Sequence, residues 1–314
     1  MKRLIWTALV LFSFLVYNST SSNEVVKIKV CKVIEHEALN SVVRGMTDYL
    51  NSQKGKKYEV VVETCQGQIA LASQIIAKFV GSNADVIVTI GTVPSQAAYK
   101  FTKNKQTKVV FSSVTNPADI ASDFSNSNMT GVSNFVDLKP QLELFRQIQP
   151  NLNKLGMIYN TGEANSSSII ERIKPICENM GIQLIVQGIS KISELPQALE
   201  KTQKGVDAVF ISNDNMALSG METIVETCAQ NNIPVYVSDT DQVEKGCVAA
   251  LGPNQYNIGV QTGKLVQQIA EGKDINNIKI QYPDTTELYV NTKSVLKIPD
   301  SIIEQAKKVY EVKK

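Results

Sequence analysis

Eight apolar, β-branched runs recur along the chain with helical patterns between them, and this alternation limits the fold more than any other feature. The runs are Val25–Ile34, Tyr58–Thr64, Asp85–Ile90, Lys108–Val114, Lys154–Tyr159, Gln183–Val186, Asp207–Ile211 and Ile233–Val237. They are continuous in apolar character, as strands buried on both faces of a parallel sheet are. After the first run, Leu39, Val42, Val43, Met46 and Leu50 fall on one helical face. Similar stripes cross Ile69–Val80, Gln141–Ile148, Ile169–Met180, Met221–Ala229 and Ile258–Ile269. Strand–helix alternation predicts parallel βαβ units and an α/β fold. The series divides into two similar halves near Val136, the first ending in Thr130-Gly131-Val132-Ser133 as a crossing strand. Two such lobes face to face make a cleft from the carboxyl ends of both sheets, where open α/β sheets take their ligands.

The N-terminus speaks to compartment. Lys2 and Arg3 precede the apolar run Leu4–Tyr17, which gives way to Asn18-Ser19-Thr20-Ser21-Ser22. That order describes a secretory signal peptide over residues 1–22. A run of roughly 14 residues is short of the ~20 that span a bilayer. The first cysteine, Cys31, lies within a predicted strand, so no lipobox cysteine follows the apolar run. A soluble, exported protein is expected, periplasmic in a Gram-negative cell. Without Lys2 and Arg3 the chain carries 30 basic and 30 acidic side chains. That balance argues against nucleic acid or an anionic membrane surface as partner. The five cysteines, Cys31, Cys65, Cys177, Cys228 and Cys247, form no CxxC pair and mostly sit in apolar runs. They read as small buried hydrophobes, with at least one free thiol and no assignable disulfide.

The polar residues after each strand are then the informative ones. Gly91-Thr92-Val93-Pro94-Ser95 leaves a strand and opens a helix, with Pro94 suited to the first turn. Thr92 and Ser95 could hold a carboxylate there beside free backbone N–H groups, or simply cap the helix. Ser113 and Thr115 could add donors, or form the turn around Pro117. Asp214 and Asp239 follow strands of the second half, where they could take an ammonium through charge-assisted hydrogen bonds. Asp214 equally suits an N-cap and Asp239 a turn. Glu35, Gln66, Asn165 and Asn215 are secondary ligand-binding candidates. Tyr99, Phe111, Phe135, Tyr159 and Tyr256 could be core residues or could stack on a ligand.

Catalytic chemistry finds little support. His36 is the only histidine, and no nucleophile–base pair with an orienting third group accompanies it. No metal-ligand spacing occurs. The turn after the first strand reads Val33-Ile34-Glu35-His36 rather than GxGxxG. No catalytic residue, metal or cofactor is expected.

Taken in order, these loops resemble the ABC-transporter substrate-binding proteins of the tryptophan/tyrosine-binding type, with a type I periplasmic binding protein fold. The resemblance runs through Glu35-His36-Glu37-Ala38-Leu39, Gln66-Gly67, Thr92-Val93-Pro94-Ser95-Gln96 and Val114-Thr115-Asn116-Pro117. It continues through Thr130-Gly131-Val132-Ser133, Tyr159-Asn160, Glu163-Ala164-Asn165-Ser166, Asp214-Asn215 and Ser238-Asp239-Thr240. It departs at Glu37, where the family commonly has Pro, and at Gln68, Asn116 and Asn134, where it commonly has Asp.

The resemblance implies two Rossmann-like lobes with parallel sheets, joined by three crossovers around the ligand cleft. The first lobe would hold residues 23–136 plus about 256–281, the second 137–255 plus about 282–314. It further implies a zwitterionic ligand, an aromatic or hydrophobic amino acid, captured by lobe closure and handed to the permease subunits of an ABC importer. The protein is expected to act as a monomer. The rival classes are a sensor subunit for a membrane receptor and an exported α/β hydrolase.

Overall fold

The computed structural model describes residues 25–103, 105–125 and 127–313. The predicted signal peptide lies outside the described residues. The chain begins β1 (Val25–Lys32), α1 (Glu37–Ser52), β2 (Lys57–Thr64), α2 (Ile69–Val80), β3 (Val86–Ile90), α3 (Thr92–Thr102), β4 (Val109–Val114) and β5 (Met129–Ser133). It continues α4 (Leu138–Ile148), β6 (Lys154–Asn160), α5 (Ala164–Asn179), β7 (Gln183–Ile189), α6 (Leu195–Gln203), β8 (Ala208–Ile211), α7 (Asn215–Ser219), α8 (Met221–Gln230), β9 (Val235–Val237) and β10 (Ala249–Gly252). It ends α9 (Gln255–Ala270), β11 (Glu287–Asn291), α10 (Asp300–Ile303) and β12 (Lys308–Tyr310).

All eight predicted runs are strands, in two sheets. The first has the order β2-β1-β3-β4-β5, the second β12-β11-β10-β9-β8-β6-β7. Every pairing is parallel except β10 with β11. Strands β3 and β4 are buried along their whole length, which accounts for their largely apolar sequence, broken only by Thr89, Ser112 and Ser113. Strand order reverses at β1/β3 and at β6/β8, so the loops after these strands flank the crevices where ligands of such sheets bind.

The first lobe's core gathers β1, β3 and β4 with Ile258, Leu265, Val266 and Ile269 of α9. Helix α9 therefore leaves the second lobe's sequence and packs beside α1. Two glycines permit this: a Cβ on Gly259 would sit 2.1 Å from the Val42 carbonyl oxygen, and one on Gly45 would sit 2.0 Å from that of Tyr256. The second lobe's core includes Phe145, Phe210 and Tyr236, with Phe145 stacked on Tyr236 at 4.2 Å between ring centroids.

Three passages connect the lobes, after β5, after β10 and before β11. Two of them run side by side. Ser133 N–H donates to the Gln281 carbonyl at 2.8 Å, and Gln281 N–H to that of Gly131 at 2.9 Å.

Candidate functional site

Loops from both sheets meet at one gap. The first lobe contributes His36 and Leu39 at the β1–α1 corner, and Ser113 and Thr115 at the end of β4. The second contributes Asn165, Asn213, Asn215 and Asp239. Asn134 joins from just after β5 and Gln255 from the first turn of α9. The opposing faces nearly touch, leaving about 10 Å³ of free volume, one water's room. Hydrogen bonds cross directly: His36 Nε2 and Asn215 Oδ1 are 3.3 Å apart, and Asn213 Nδ2 donates to the Asn134 carbonyl at 3.2 Å. Farther out, Ser168 Oγ on α5 donates to Asp119 Oδ1 of the first lobe at 2.7 Å.

Five of the ten residues picked from sequence line this gap: Ser113, Thr115, Asn165, Asn215 and Asp239. Ser113 is held at φ 52°, where the β4–β5 register shifts, a conformation that costs a residue with a side chain energy and that clusters at functional sites. Its Oγ lies 3.5 Å from Gln255 Oε1, and Thr115 Oγ1 donates to Asn134 Oδ1 at 3.1 Å.

The other five lie elsewhere. Thr92 and Ser95 are buried at the start of α3, whose N-cap is Gly91 at φ 95°. Ser95 Oγ donates back to the Gly91 carbonyl at 2.6 Å, engaging the hydroxyl within its own helix turn. Glu35 is exposed and pairs with Lys32 at 2.7 Å, and the Lys32 ammonium holds its carboxyl below the usual range. Gln66 is an exposed turn residue at φ 53°. Asp214 is fully buried and caps α7, accepting from Ala217 N–H at 2.8 Å, Asn160 N–H at 2.5 Å and Ser166 Oγ at 2.6 Å. Of the two roles the sequence allowed it, the cap is the one this geometry displays.

The aromatic candidates divide as well. Phe111 is core, Tyr99 packs on Phe124, Tyr159 flanks the second core, and Tyr256 is exposed with its hydroxyl on Asp48. Phe135 alone lies near the gap. It lines an adjoining apolar annex with Val136, Leu138, Ile169 and Arg172, whose guanidinium sits 4.4 Å from the ring centroid, and the annex is as tight as the gap, with about 10 Å³ of free volume. That annex shares Thr115 and Asn213 with the gap.

The electrostatics of the gap follow from burial. Asp239 is 1% exposed; desolvation, then the neighbouring Asp241 carboxylate, pushes its carboxyl up to about 7. It accepts from Gln242 Nε2 and from Asp241 N–H, both at 3.1 Å. Burial lowers His36 to about 4, so the ring is neutral near pH 7. Such a site holds acceptors that lack a full complement of donors, and a cation would supply them.

Sequence reasoning missed Glu163 as a site residue, although it stands in one of the quoted motifs. It is 3% exposed and receives Asn160 Nδ2 at 3.0 Å, Asn165 Nδ2 at 3.3 Å and Asn215 Nδ2 at 2.6 Å. The signal available was an acid among asparagines at a strand end, Asn160 to Asn165. Asn134 is marked in the sequence only as a departure from the resembled family, Asn213 only as the neighbour of Asp214 after a strand, and Gln255 by nothing. Among the described residues no cluster of three His, Cys, Asp or Glu could hold a metal, and no helix is long and apolar enough to cross a membrane. All five cysteines are free and buried.

Two parallel-sheet lobes with a polar gap between their strand ends define a bilobal α/β binding protein. The chain belongs to the ABC transporter substrate binding protein family, whose model matches residues 27–310. It is a family of binding proteins rather than enzymes, with the type I periplasmic binding fold. The tyrosine-binding protein of Clostridioides difficile is 26% identical, over 87% of this chain and 80% of its own. The Streptococcus pneumoniae ABC domain in complex with L-Trp superposes with a TM-score of 0.83 at 26% identity, covering 90% of this chain and 99% of that one. A ligand-free, open substrate-binding protein with adhesive properties from Clostridium difficile gives 0.66 at 25% identity, covering 91% and 99%.

Proposed function

We propose that this protein is the extracytoplasmic solute receptor of an ABC importer and that it captures a zwitterionic amino acid with an aromatic or hydrophobic side chain by closing its lobes. The observation that carries the reading is the convergence of Ser113 and Thr115 from one lobe with Asn165, Asn215 and Asp239 from the other on a single gap. Hydroxyl donors on the first side suit a carboxylate. Acceptors on the second suit an ammonium. The apolar annex beside Phe135 suits the ligand's side chain. Relatives named for tyrosine and tryptophan support that class.

Two observations support closure. At nearly equal identity, the chain superposes far better on the L-Trp complex than on the ligand-free open form. The cross-gap bonds also join the two lobes directly. With so little free volume, a tyrosine-sized ligand enters only after the lobes part, so opening and closing belong to the binding step.

Calorimetry of the mature protein against the twenty amino acids should show saturable binding of one or a few aromatic or aliphatic members. No binding by any of them removes the amino-acid reading. Ser168→Ala removes the outer contact to Asp119 and should shift the ligand-free population toward open, read as a larger radius of gyration in solution scattering. An unchanged radius rejects that contact as a latch.

A further inference from the structure

We infer that Glu163 is a positioning residue that fixes the amide orientation of Asn165 and Asn215, so that these two residues turn acceptor oxygens rather than NH₂ groups toward the gap that takes the ligand's ammonium. The inference deepens the amino-acid reading above and rests on it for the identity of the ligand group.

The argument begins with the chemistry of a primary amide. Asn carries an acceptor oxygen and a two-donor NH₂, and a neighbour's preference decides which end points where. Above about pH 7, the value to which burial raises it, the Glu163 carboxyl is ionised and accepts only. Glu163 therefore draws the NH₂ ends of Asn160, Asn165 and Asn215 toward itself. Their oxygens must face away. Asn160 Oδ1 accepts from Gly162 N–H at 2.9 Å, which orders the loop. Asn165 Oδ1 is buried with no partner among the described residues, and Asn165 is a wall of the gap.

The orientation passes on to His36. Asn215 Oδ1 meets His36 Nε2 at 3.3 Å, and an oxygen there requires the ring to carry its proton on Nε2. His36 Nδ1 is then a bare acceptor, and it too is buried without a partner among the described residues. One carboxylate thus sets two amides and, through one of them, a ring tautomer on the opposite lobe. Apart from the Ser113 and Thr115 hydroxyls on the first lobe, the residues lining the gap include three acceptors, Asn165 Oδ1, His36 Nδ1 and the Asp239 carboxylate, the first two buried without a partner among the described residues. A buried acceptor left unpaired costs energy, and a ligand ammonium with three N–H groups repays it.

Replacing Glu163 by Gln keeps the shape but puts an NH₂ in place of one carboxylate oxygen. Gly162 N–H holds the Asn160 amide in its present orientation, whereas Asn165 Oδ1 has no partner among the described residues to lose, so the NH₂ is expected at the Oε2 place that Asn165 and Asn215 share, where they must reverse and present NH₂ to the gap. The test compares an L-amino acid that the wild type binds with the same compound lacking its α-amino group. Glu163→Gln should weaken the amino acid by roughly 10- to 100-fold, the loss of one charge-assisted contact. The deaminated acid should stay within about twofold of its wild-type affinity, because only an ammonium reads the acceptor wall. Glu163→Asp, which keeps the charge, should recover part of the loss. Equal weakening of both compounds overturns the inference, since a merely structural role would produce it.

A second readout needs no ligand. In ¹⁵N-edited NMR of the ligand-free protein, the side-chain NH₂ signals of Asn165 and Asn215 should move in Glu163→Gln more than backbone amides of the same loops do. Unmoved NH₂ signals overturn the inference whatever the ligand proves to be. A wild type that binds the two compounds equally removes the ammonium reading, while moved NH₂ signals still support the positioning role.

Discussion

Asp239→Asn is expected to weaken amino-acid binding by roughly 10- to 100-fold at pH 8, the cost of taking a charge-assisted partner from an ammonium. The variant changes little in shape, so its own fold should survive, and calorimetry reads the effect directly. Full affinity in this variant would sink the assignment of Asp239 as the ammonium's partner. A pH dependence accompanies it. Asp239 and Glu163 are both raised to about 7 by burial, each with a second carboxylate nearby, Asp241 and Asp214 respectively. Their unfolded values lie near 4. Between about 4 and 7 the folded protein therefore keeps protons that the unfolded chain releases. Stability of the ligand-free protein should fall as pH rises through that window, and recover on acidification. Binding has the opposite sign. An ammonium favours the ionised carboxylates, so affinity should rise from pH 6 to pH 8, and Asp239→Asn should remove that residue's share of the rise. Thermal melts and titrations across this range check both directions.

The second large effect concerns the α1–α9 contact. Gly259→Ala places a methyl 2.1 Å from the Val42 carbonyl oxygen and 2.9 Å from the Met46 amide nitrogen, both backbone atoms in the middle of α1. Neither can rotate away, so the helices must separate. Overpacking of this kind costs about 1–3 kcal/mol, occasionally more. Urea unfolding should show the loss as a lower midpoint, and a midpoint unchanged from wild type would show that the helices can part without cost. Because α1 also carries Leu39 into the gap, weaker ligand binding should accompany the lower stability.

The fold was legible where burial is two-sided. Strands such as Val86–Ile90 and Val109–Val114 must be largely apolar, and little else in a sequence looks like them. The elements that escaped carry weaker signals for identifiable reasons. Strand β10 is built from small residues, Ala249-Ala250-Leu251-Gly252, because its backbone runs against Ser238: a Cβ on Gly252 would lie 1.9 Å from that carbonyl oxygen. Strand β12 is a short, largely exposed edge, and α6 begins at Leu195-Pro196, which masks its helical stripe.

The site was half legible. Position after a strand identified Ser113, Thr115, Asn165, Asn215 and Asp239, since topology brings strand ends together. It could not tell a side chain aimed at the gap from one aimed at its own loop, as Asp214 and Ser95 show. Nor did it single out Gln255, which reaches the gap from the first turn of α9, or Asn134, which follows β5 where the chain crosses to the second lobe. Asn134, read from the sequence as a departure from the Asp that the resemblance implies there, falls on the wall of the gap itself.

The pairing of Ser133 with Gln281 also restricts how one half of the molecule can travel relative to the other. Two peptide segments laced together by reciprocal backbone hydrogen bonds bend easily across their common width but resist sliding past each other, since sliding breaks both bonds at once. Proline at 253 in one connection and at 283 in another stiffens the backbone beside them. Under the closure proposed above, rotation about a single line is the motion left cheap, much as a door keeps its edge in register with the frame, and it would return Asp239 to the same station opposite Ser113 on every cycle.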